Sequence, residues 1–352
     1  MFTKKNTKRA LLSLVISQLL FSAPGMANTL KESDFKTQPL GHGVYELAFV
    51  KKDNALYAAS TPSFDKSEKE GVVFQLAADS LQIDKRIPIT RGTFAVALDE
   101  DNHLLYLGNA MDGSVTVMDI RSGKELRTLQ LSDDAVPEKK AHVREVVLDK
   151  KHHRLYVSGI GEKDTGLLWV VDTQKQQLIK TLDKMEPVGF AVDEAGDKVY
   201  AVTGKGEIMT LDGKSSELLS KVKVDPADTN HYFLNIALNA SKGLGYIVDT
   251  HTRDVLVVQL DSGKLLHRIF TPNSIAVVYN AIRNEIYVTH RNARQVSIID
   301  AGDYHIKHTI DTSAMPNSMV LSPDATTLYV SVKQDGKSDQ NDYVLKVDLT
   351  QL

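Results

Sequence analysis

The sequence has 352 residues, enough for one large hydrophobic core or two medium ones. With 42% hydrophobic and 25% charged residues, its composition is typical of a soluble globular protein and excludes wholesale disorder. Its formal net charge is −3, and it has no cysteine, which excludes disulfides, thiolate zinc sites, iron–sulfur clusters and a lipoprotein anchor.

Residues 1–27 have the pattern of a cleaved secretory signal peptide. A basic cluster precedes the apolar run Ala10–Phe21, and the small residues Gly25 and Ala27 favour cleavage after Ala27. A membrane anchor is the alternative, but a run of this length is too short to span about 30 Å of hydrocarbon. The sequence therefore predicts a mature periplasmic protein without a membrane span.

The mature chain is acidic. Removing the four basic residues of the signal leaves 38 Lys and Arg against 45 Asp and Glu, which is a net charge of −7. A nucleic-acid-binding protein that is basic over its whole surface would not have this balance. Any site for a polyanion must therefore be a local patch.

A short motif centred on tyrosine recurs along the rest of the chain. The seven repeat tyrosines are Tyr57, Tyr106, Tyr156, Tyr200, Tyr246, Tyr287 and Tyr329. They are separated by 49, 50, 44, 46, 41 and 42 residues. A regular period of this length indicates a repeat architecture.

Each repeat contains four short strands, here named A to D. An apolar strand and a polar turn precede the tyrosine strand, and a second apolar strand such as "VSIID" follows it. A turn such as "RSGK" then leads to a fourth strand, and its glycine supplies the positive φ that a tight hairpin needs. Seven four-stranded sheets bury their faces by packing radially, which predicts an all-β, seven-bladed β-propeller. A linear solenoid is the alternative, but it requires atypical capping repeats at both ends.

The two ends of the chain predict how the ring closes. The last repeat lacks a fourth strand, whereas the arm formed by residues 28–40 contains one spare strand, Asp34–Leu40. We expect this strand to pair beside Tyr343–Leu349 and to complete the last blade of a propeller over residues 41–352. Such a clasp would also cover an open sheet edge.

These segments resemble a known family. The sequence "IYVTH" with a downstream "VSIID" is similar to the YVTN family of β-propeller repeats, and the order of segments resembles the YncE-type periplasmic propellers of Gram-negative bacteria. The segments that carry the resemblance are "GHGVYELAF", "REVVLD", "YVSGIG", "NEIYVTHR", "RQVSIID" and "TLYVSVKQ". The resemblance implies a periplasmic propeller that binds nucleic acid, but it supplies no motif residues for DNA contacts. We expect the protein to be a monomer.

Propeller topology sorts the loops onto two faces. The B–C and D–A loops share one face, here called the loop face, and the A–B and C–D turns share the other, here called the turn face. The loop face collects basic and aromatic side chains, which are the groups that contact phosphates and stack on bases in single-stranded nucleic-acid sites. The candidate binding residues on this face are Arg91, His142, Arg144, Tyr232, Phe233, His251, Arg253, His290, Arg291, Arg294 and Lys333.

A simpler interpretation of the loop face remains open. Charged loop residues also serve solubility, and Arg144–Glu145 and Arg253–Asp254 could be structural ion pairs near the channel. On the turn face, the adjacent pair His152–His153 is interpreted as part of a solvated turn, because no third metal ligand is apparent.

The sequence contains no recognisable catalytic constellation. The glycine-rich stretch Gly159–Gly166 joins two strands and lacks the Gly-Lys-Ser/Thr ending of a phosphate-binding loop. We therefore expect a non-enzymatic binding module without metal or cofactor, with single-stranded DNA or another polyanion as its ligand. A protein-interaction scaffold in the cell envelope is the alternative, and a small-molecule or quinone-binding subunit is a weaker one.

Overall fold

The computed structural model describes residues 27–63, 70–133, 135, 141–161, 166–228, 230–336 and 338–352. Over these residues the chain forms short β-strands joined by turns, with three short 3₁₀ helices. These helices are Glu32–Asp34, Ala240–Lys242 and Leu349–Gln351. The strands in chain order are β1 (Asn28–Lys31), β2 (Lys36–Pro39), β3 (Val44–Val50), β4 (Ala55–Ser60), β5 (Gly71–Ala77), β6 (Ile83–Ile89), β7 (Thr93–Asp99), β8 (Leu104–Asn109), β9 (Ser114–Asp119), β10 (Lys124–Gln130), β11 (Ala141–Asp149), β12 (Arg154–Gly161), β13 (Leu167–Asp172), β14 (Gln177–Asp183), β15 (Pro187–Asp193), β16 (Lys198–Thr203), β17 (Glu207–Asp212), β18 (Leu218–Lys223), β19 (Phe233–Asn239), β20 (Leu244–Asp249), β21 (Asp254–Gln259), β22 (Leu265–Phe270), β23 (Val277–Asn280), β24 (Glu285–His290), β25 (Gln295–Asp300), β26 (Ile306–Asp311), β27 (Met315–Leu321), β28 (Thr327–Lys333) and β29 (Tyr343–Asp348).

These strands form seven sheets, one for each repeat. Blade 1 contains β3 to β6, blade 2 β7 to β10, blade 3 β11 to β14, blade 4 β15 to β18, blade 5 β19 to β22, blade 6 β23 to β26, and blade 7 β27 to β29. Strand A of each blade contacts strand A of the next, and β27 of blade 7 contacts β3 of blade 1. The ring is therefore closed, which confirms the seven-bladed propeller.

The core lies between the blades. Seven hydrophobic clusters occur among the described residues, and each combines side chains from two neighbouring blades. Between blades 2 and 3, for example, Trp169 is 1% exposed, and a side chain at Gly159 would approach its ring to 2.6 Å. Because each sheet buries its faces only against its neighbours, the whole ring is one packing unit.

The predicted clasp is confirmed. Strand β2 pairs antiparallel with β29, in the register Lys36 to Lys346 and Pro39 to Tyr343, and so supplies strand D of blade 7. The sequence did not reveal a second contribution of the arm. Strand β1 pairs parallel with β26 and adds a fifth strand to blade 6. Between them, the Glu32 carboxylate accepts hydrogen bonds from Ser313 and Tyr343.

The repeat tyrosines are structural, because all seven are at most 3% exposed. Several of their hydroxyl groups donate to backbone carbonyls of the next blade, as Tyr57 does to Ile120 at 3.3 Å and Tyr329 to Ala78 at 3.0 Å. Tyr287 instead bonds within its own blade, donating to Glu285 Oε2 at 2.7 Å and accepting from Asn280 Nδ2 at 3.1 Å.

We predict that Tyr287→Phe costs more stability than Tyr57→Phe. The Tyr287 hydroxyl donates to a buried carboxylate, a bond worth about 2 kcal/mol, whereas the longer bond of Tyr57 to a neutral carbonyl is worth about 0.5–1 kcal/mol. Urea unfolding of both variants measures the difference. If both variants lose the same free energy of unfolding, the hydrogen bond from Tyr287 to Glu285 contributes no more stability than the bond from Tyr57 to the Ile120 carbonyl.

Candidate functional site

Side chains from the innermost strands meet in the central channel at the loop face. In six blades the pairing of strands A and B shifts near the first residues of strand A, which is a β-bulge. A bulge re-aims the side chains beside it. The residues at these shifts include Tyr45, Glu46, Phe94, Arg144, Val188, Leu234 and Asn317.

Contacts between blades show that these side chains converge. The rings of Tyr45 and Phe94, from blades 1 and 2, meet edge to face with centroids 4.2 Å apart. The carboxyl groups of Glu46 and Glu145, from blades 1 and 3, hydrogen-bond to each other. Since blade 2 separates those two strands, the Glu46–Glu145 contact passes the inner strand of blade 2 and joins two blades that are not neighbours.

The two glutamates form a buried acidic pair. Glu46 also accepts a hydrogen bond from the backbone N–H of Val96 at 3.0 Å, and Arg144 Nη1 donates to Glu145 Oε2 at 2.7 Å. Burial, and then the charge of Glu145, raise the pKa of Glu46 well above its usual value. Burial also raises the pKa of Glu145, while Arg144 opposes that rise. A hydrogen bond between two carboxyl groups needs a proton, and the larger rise in pKa favours Glu46 as the group that carries it.

Three of the predicted cations lie near one another at the channel mouth: Arg144 of blade 3, which pairs with Glu145, Arg291 of blade 6 and Lys333 of blade 7. Burial lowers the pKa of Arg291, and the nearby charge of Arg144 lowers it further. Burial also lowers the pKa of Lys333, and the charge of Arg291 adds to that decrease. The Lys333 ammonium lies 3.8 Å from the centre of the Tyr45 ring and 3.2 Å from Asp342. Burial raises the pKa of Tyr45 to about 12, and Arg291 opposes this rise. We call these three cations, with Tyr45 and Phe94, the channel-mouth cluster.

The channel-mouth cluster brings three cations together beside three carboxyl groups, those of Asp342, Glu46 and Glu145. The raised pKa values of both glutamates weaken the negative charge that opposes these cations. Arg291 Nη2 donates to Asn317 Oδ1, whereas its buried Nε has no hydrogen-bond partner among the described residues. A partly buried cation whose partner is a neutral amide is available to an anion.

A second feature lies beside the channel, over blades 3 and 4. A cleft of about 240 Å³ on the loop face is lined by Ile160, Gly161, Gly166, Glu186, Val188, Gly204, Lys205 and Tyr232. The Tyr232 ring lies against Gly204, where a Cβ atom would approach it to 2.7 Å, and His251 is 5.4 Å from that ring. The exposed His142 is paired with Ile160. Tyr232, His142 and His251 are thus grouped around this cleft.

The remaining predicted residues are dispersed. Arg253 and Arg294 are exposed, and Arg294 donates to the Ser313 carbonyl at 3.1 Å. Arg91 is held in blade 2 by a 2.6 Å ion pair with Asp112. Phe233 and His290 are both fully buried. Since neither presents any surface to solvent, we leave these two out of the proposed binding surface.

Of the two structural ion pairs considered from the sequence, only one forms. Arg144 pairs with Glu145, as described above. Asp254 pairs instead with Arg268, at 2.5 Å, and not with Arg253. In blade 5, Arg268 extends from strand D to the buried Asp254 at the start of strand C, which leaves the exposed Arg253 available for other contacts.

His290 has a structural role that predicts a pH dependence. Its ring nitrogens lie 3.2 Å from Ser274 Oγ and 2.9 Å from Ser297 Oγ, and burial lowers its pKa from 6.5 to about 4. The unfolded chain binds this proton more readily, so His290 contributes stability above pH 6.5 that is lost as the pH falls toward 4. Between pH 6.5 and 5 we expect a loss of roughly 2 kcal/mol.

Urea unfolding of the wild type and of His290→Asn at both pH values measures this contribution. The free energy of unfolding should fall by roughly 2 kcal/mol more in the wild type than in the variant. The exposed His305→Asn variant serves as the control and should follow the wild type. If His290→Asn has the same pH dependence as the wild type, His290 does not stay neutral in the folded protein.

The sequence interpretation missed the residues that organise the channel. Tyr45, Glu46, Phe94 and Asn317 lie within innermost strands, whereas all the loop-face signals in the sequence come from polar loops and strand ends. One signal was available, because an acidic residue interrupts the apolar strand "VYELAFV". A carboxyl group in such a strand needs a partner, which here comes from blade 3.

Comparison with known proteins places the chain in a family. It is 35% identical over 332 residues to a Salmonella typhi protein named YncE, covering 93% of each chain, and 35% identical over 328 residues to YncE of Escherichia coli strain K12, covering 90% of this chain and 92% of that one. The chain belongs to the YncE family. No model in the collection of protein-family models matches it.

Solved structures agree with this membership at the level of the fold. The β-propeller domain of Cps50 (Swd1) from Myceliophthora thermophila superposes with a TM-score of 0.67 at 13% identity, covering 88% of this YncE-family chain and 98% of that domain. The predicted signal peptide lies outside the described residues, apart from Ala27. Among the helices of the described residues, none has the length and apolar character needed to cross a bilayer.

Proposed function

We propose that the protein is a periplasmic binding module whose loop face binds single-stranded nucleic acid, or another flexible polyanion, across the channel mouth. One observation carries this proposal: cations from three blades lie near one another, beside the paired rings of Tyr45 and Phe94, in a local patch of an otherwise acidic protein. Phosphate affinity comes from such cations, and sequence-tolerant affinity for unpaired bases comes from aromatic faces.

The neighbouring cleft extends this surface. Tyr232 forms one wall beside Gly204, and the exposed His142 and His251 lie close by. A flexible strand whose phosphates contact the channel-mouth cluster could place a base against Tyr232. A rigid duplex could not bend into both features, so the proposal includes a preference for single strands.

Fluorescence anisotropy of a labelled oligonucleotide, titrated with residues 28–352 at several salt concentrations, tests the proposal. We expect the logarithm of affinity to fall against the logarithm of salt with a slope of about −0.7 for each phosphate contact, and duplex of the same length to bind more weakly. Unlabelled polysulfate as competitor separates general polyanion binding from nucleic-acid binding. Absence of binding at low ionic strength would refute the proposal.

A protein-interaction scaffold is the second candidate, and one observation favours it. The outermost strands of blades 2 to 5 expose large apolar side chains, namely Leu126, Leu178, Ile179, Leu218, Leu219, Leu266 and Phe270. Exposed apolar patches are common at protein interfaces. Under this alternative, Leu219→Lys and Phe270→Lys would abolish cross-linking to envelope proteins, whereas oligonucleotides would not bind the wild type.

A further inference from the structure

A cluster of possible metal ligands lies in the connection between β18 and β19. Asp225, Asp228 and His231 each offer a ligand atom, and these three atoms lie within 4.8 Å of one another. His231 Nε2 is 4.0 Å from Asp225 Oδ2 and 4.0 Å from Asp228 Oδ2. This D–A connection is on the loop face, but none of the three residues belongs to the channel-mouth cluster.

The buried imidazole of His231 distinguishes this cluster from an ordinary group of surface carboxylates. His231 is 4% exposed, and its Nε2 has no hydrogen-bond partner among the described residues. Its other ring nitrogen, Nδ1, lies 2.5 Å from Oδ2 of Asp249, which is fully buried. A buried imidazole nitrogen without a hydrogen bond requires an explanation, because such a group costs about 1–3 kcal/mol.

The neighbours of Asp249 fix the tautomer of His231. The Asp249 carboxylate accepts hydrogen bonds from the backbone N–H groups of Tyr232, His251 and Thr252. An ionised carboxylate can only accept, so the proton lies on His231 Nδ1, and the lone pair of Nε2 faces Asp225 and Asp228. A carboxylate that orients a histidine through one nitrogen while the other binds a metal is a common second shell of metal sites.

The local charge also favours a cation. Four carboxylates meet here, namely those of Asp225, Asp228, Asp249 and Asp254. Arg268 pairs with both Asp225 and Asp254, the latter at 2.5 Å. With His231 counted as neutral, these four carboxylates and Arg268 carry a net charge of −3. A divalent cation would reduce the charge to −1 and would remove the repulsion between the Nε2 lone pair and two carboxylate oxygens.

We infer that Asp225, Asp228 and His231 form a binding site for a divalent transition-metal ion of the Zn²⁺ class. One imidazole nitrogen and two carboxylate oxygens suit Zn²⁺ better than Ca²⁺ or Mg²⁺, which prefer oxygen ligands alone. Bonds of about 2.1 Å in a tetrahedral site place ligand atoms about 3.4 Å apart, so the two 4.0 Å separations must shorten slightly. Asp228, whose side chain is 42% exposed, has room for this movement.

The three residues leave the fourth tetrahedral position for water. The bound ion would join the D–A connection to the fixed Asp249–His231 pair and would hold this part of the loop face in place. A second group of possible ligands consists of Asp300, Asp303 and His305. It has no buried imidazole, because His305 is exposed and its Nδ1 lies 2.5 Å from Asp303. This second group therefore provides a matched control.

Isothermal titration of tag-free, chelator-treated residues 28–352 with Zn²⁺ tests the inference, together with metal analysis after dialysis. We expect one ion per chain, affinity at least tenfold lower in His231→Gln and in Asp228→Asn, and about tenfold lower in Asp249→Asn. Asp228 is partly exposed, so Asp228→Asn should fold even if His231→Gln does not. His305→Gln should bind as the wild type does.

Three results would overturn the inference. One is the absence of a bound equivalent of Zn²⁺ in the wild type. Another is wild-type affinity in both Asp228→Asn and His231→Gln. The third is binding of Ca²⁺ in preference to Zn²⁺, which would contradict the nitrogen ligand. None of these results depends on oligonucleotide binding, so the metal site and the polyanion site are tested separately.

Discussion

The triple variant Arg144→Gln, Arg291→Gln and Lys333→Gln should bind single-stranded DNA about 100-fold more weakly than the wild type at about 0.1 M salt. Each cation that contacts a phosphate contributes about 0.7 to the salt slope, so the slope should become shallower by about 2. Glutamine keeps a polar group beside Glu145 and Asn317, which limits damage to the channel. Anisotropy titrations at four or more salt concentrations measure both quantities.

A second triple variant controls for net charge. Arg121, Lys175 and Lys214 are exposed in C–D turns on the turn face, so their replacement by glutamine changes the charge by the same amount. We expect affinity within about twofold of the wild type, because exposed charges farther away than the Debye length of about 10 Å are screened. Equal losses in the two triple variants would mean that binding responds to overall charge and that the channel-mouth cluster is not the site.

The fold could be predicted from the sequence because its information is local and repeated. Each blade is specified by strands and turns within about 45 residues, and seven copies of the pattern reinforce one another. The clasp could also be predicted from the sequence, because the missing strand D of the last repeat must be supplied by another segment of the chain. Strand β1 could not be predicted, because its four residues carry no periodic signal. Its position depends on parallel pairing with β26, which is distant in the sequence.

The candidate site was less predictable, because contacts between blades join residues that are distant in sequence. Arg144, Arg291 and Lys333 were identified as candidates, but their proximity to one another depends on β-bulges and on ring closure. Phe233 and His290 were predicted on the loop face, but both are buried. Phe233 is the first residue of β19 and His290 is the last residue of β24. A shift of one residue in a strand boundary moves such a side chain between an exposed loop and the buried core, and the sequence alone does not fix the boundary.

The clasp should contribute strongly to stability. In a chain that begins at Gly41, β29 loses its outer partner, and the apolar side chains of Leu30, Phe35 and Leu40 no longer pack against blades 6, 7 and 1. Burial of three such side chains is worth about 5 kcal/mol. We therefore expect the melting temperature to fall by about 10 °C or more, as measured by circular dichroism. The exposed edge of β29 should also promote association, visible by size-exclusion chromatography.

A shorter truncation and a peptide separate the possible causes of this loss. A chain that begins at Phe35 keeps β2 and the packing of Phe35 and Leu40. It loses β1 and the hydrogen bonds of Glu32 to Ser313 and Tyr343, so its melting temperature should fall by less than half as much. A synthetic peptide of residues 28–40 should restore the stability of the chain that begins at Gly41, because it supplies the same strands in trans and binds only the folded ring. If the chain that begins at Gly41 has the melting temperature and the elution volume of the full-length protein, the contact between β27 and β3 is sufficient to close the ring.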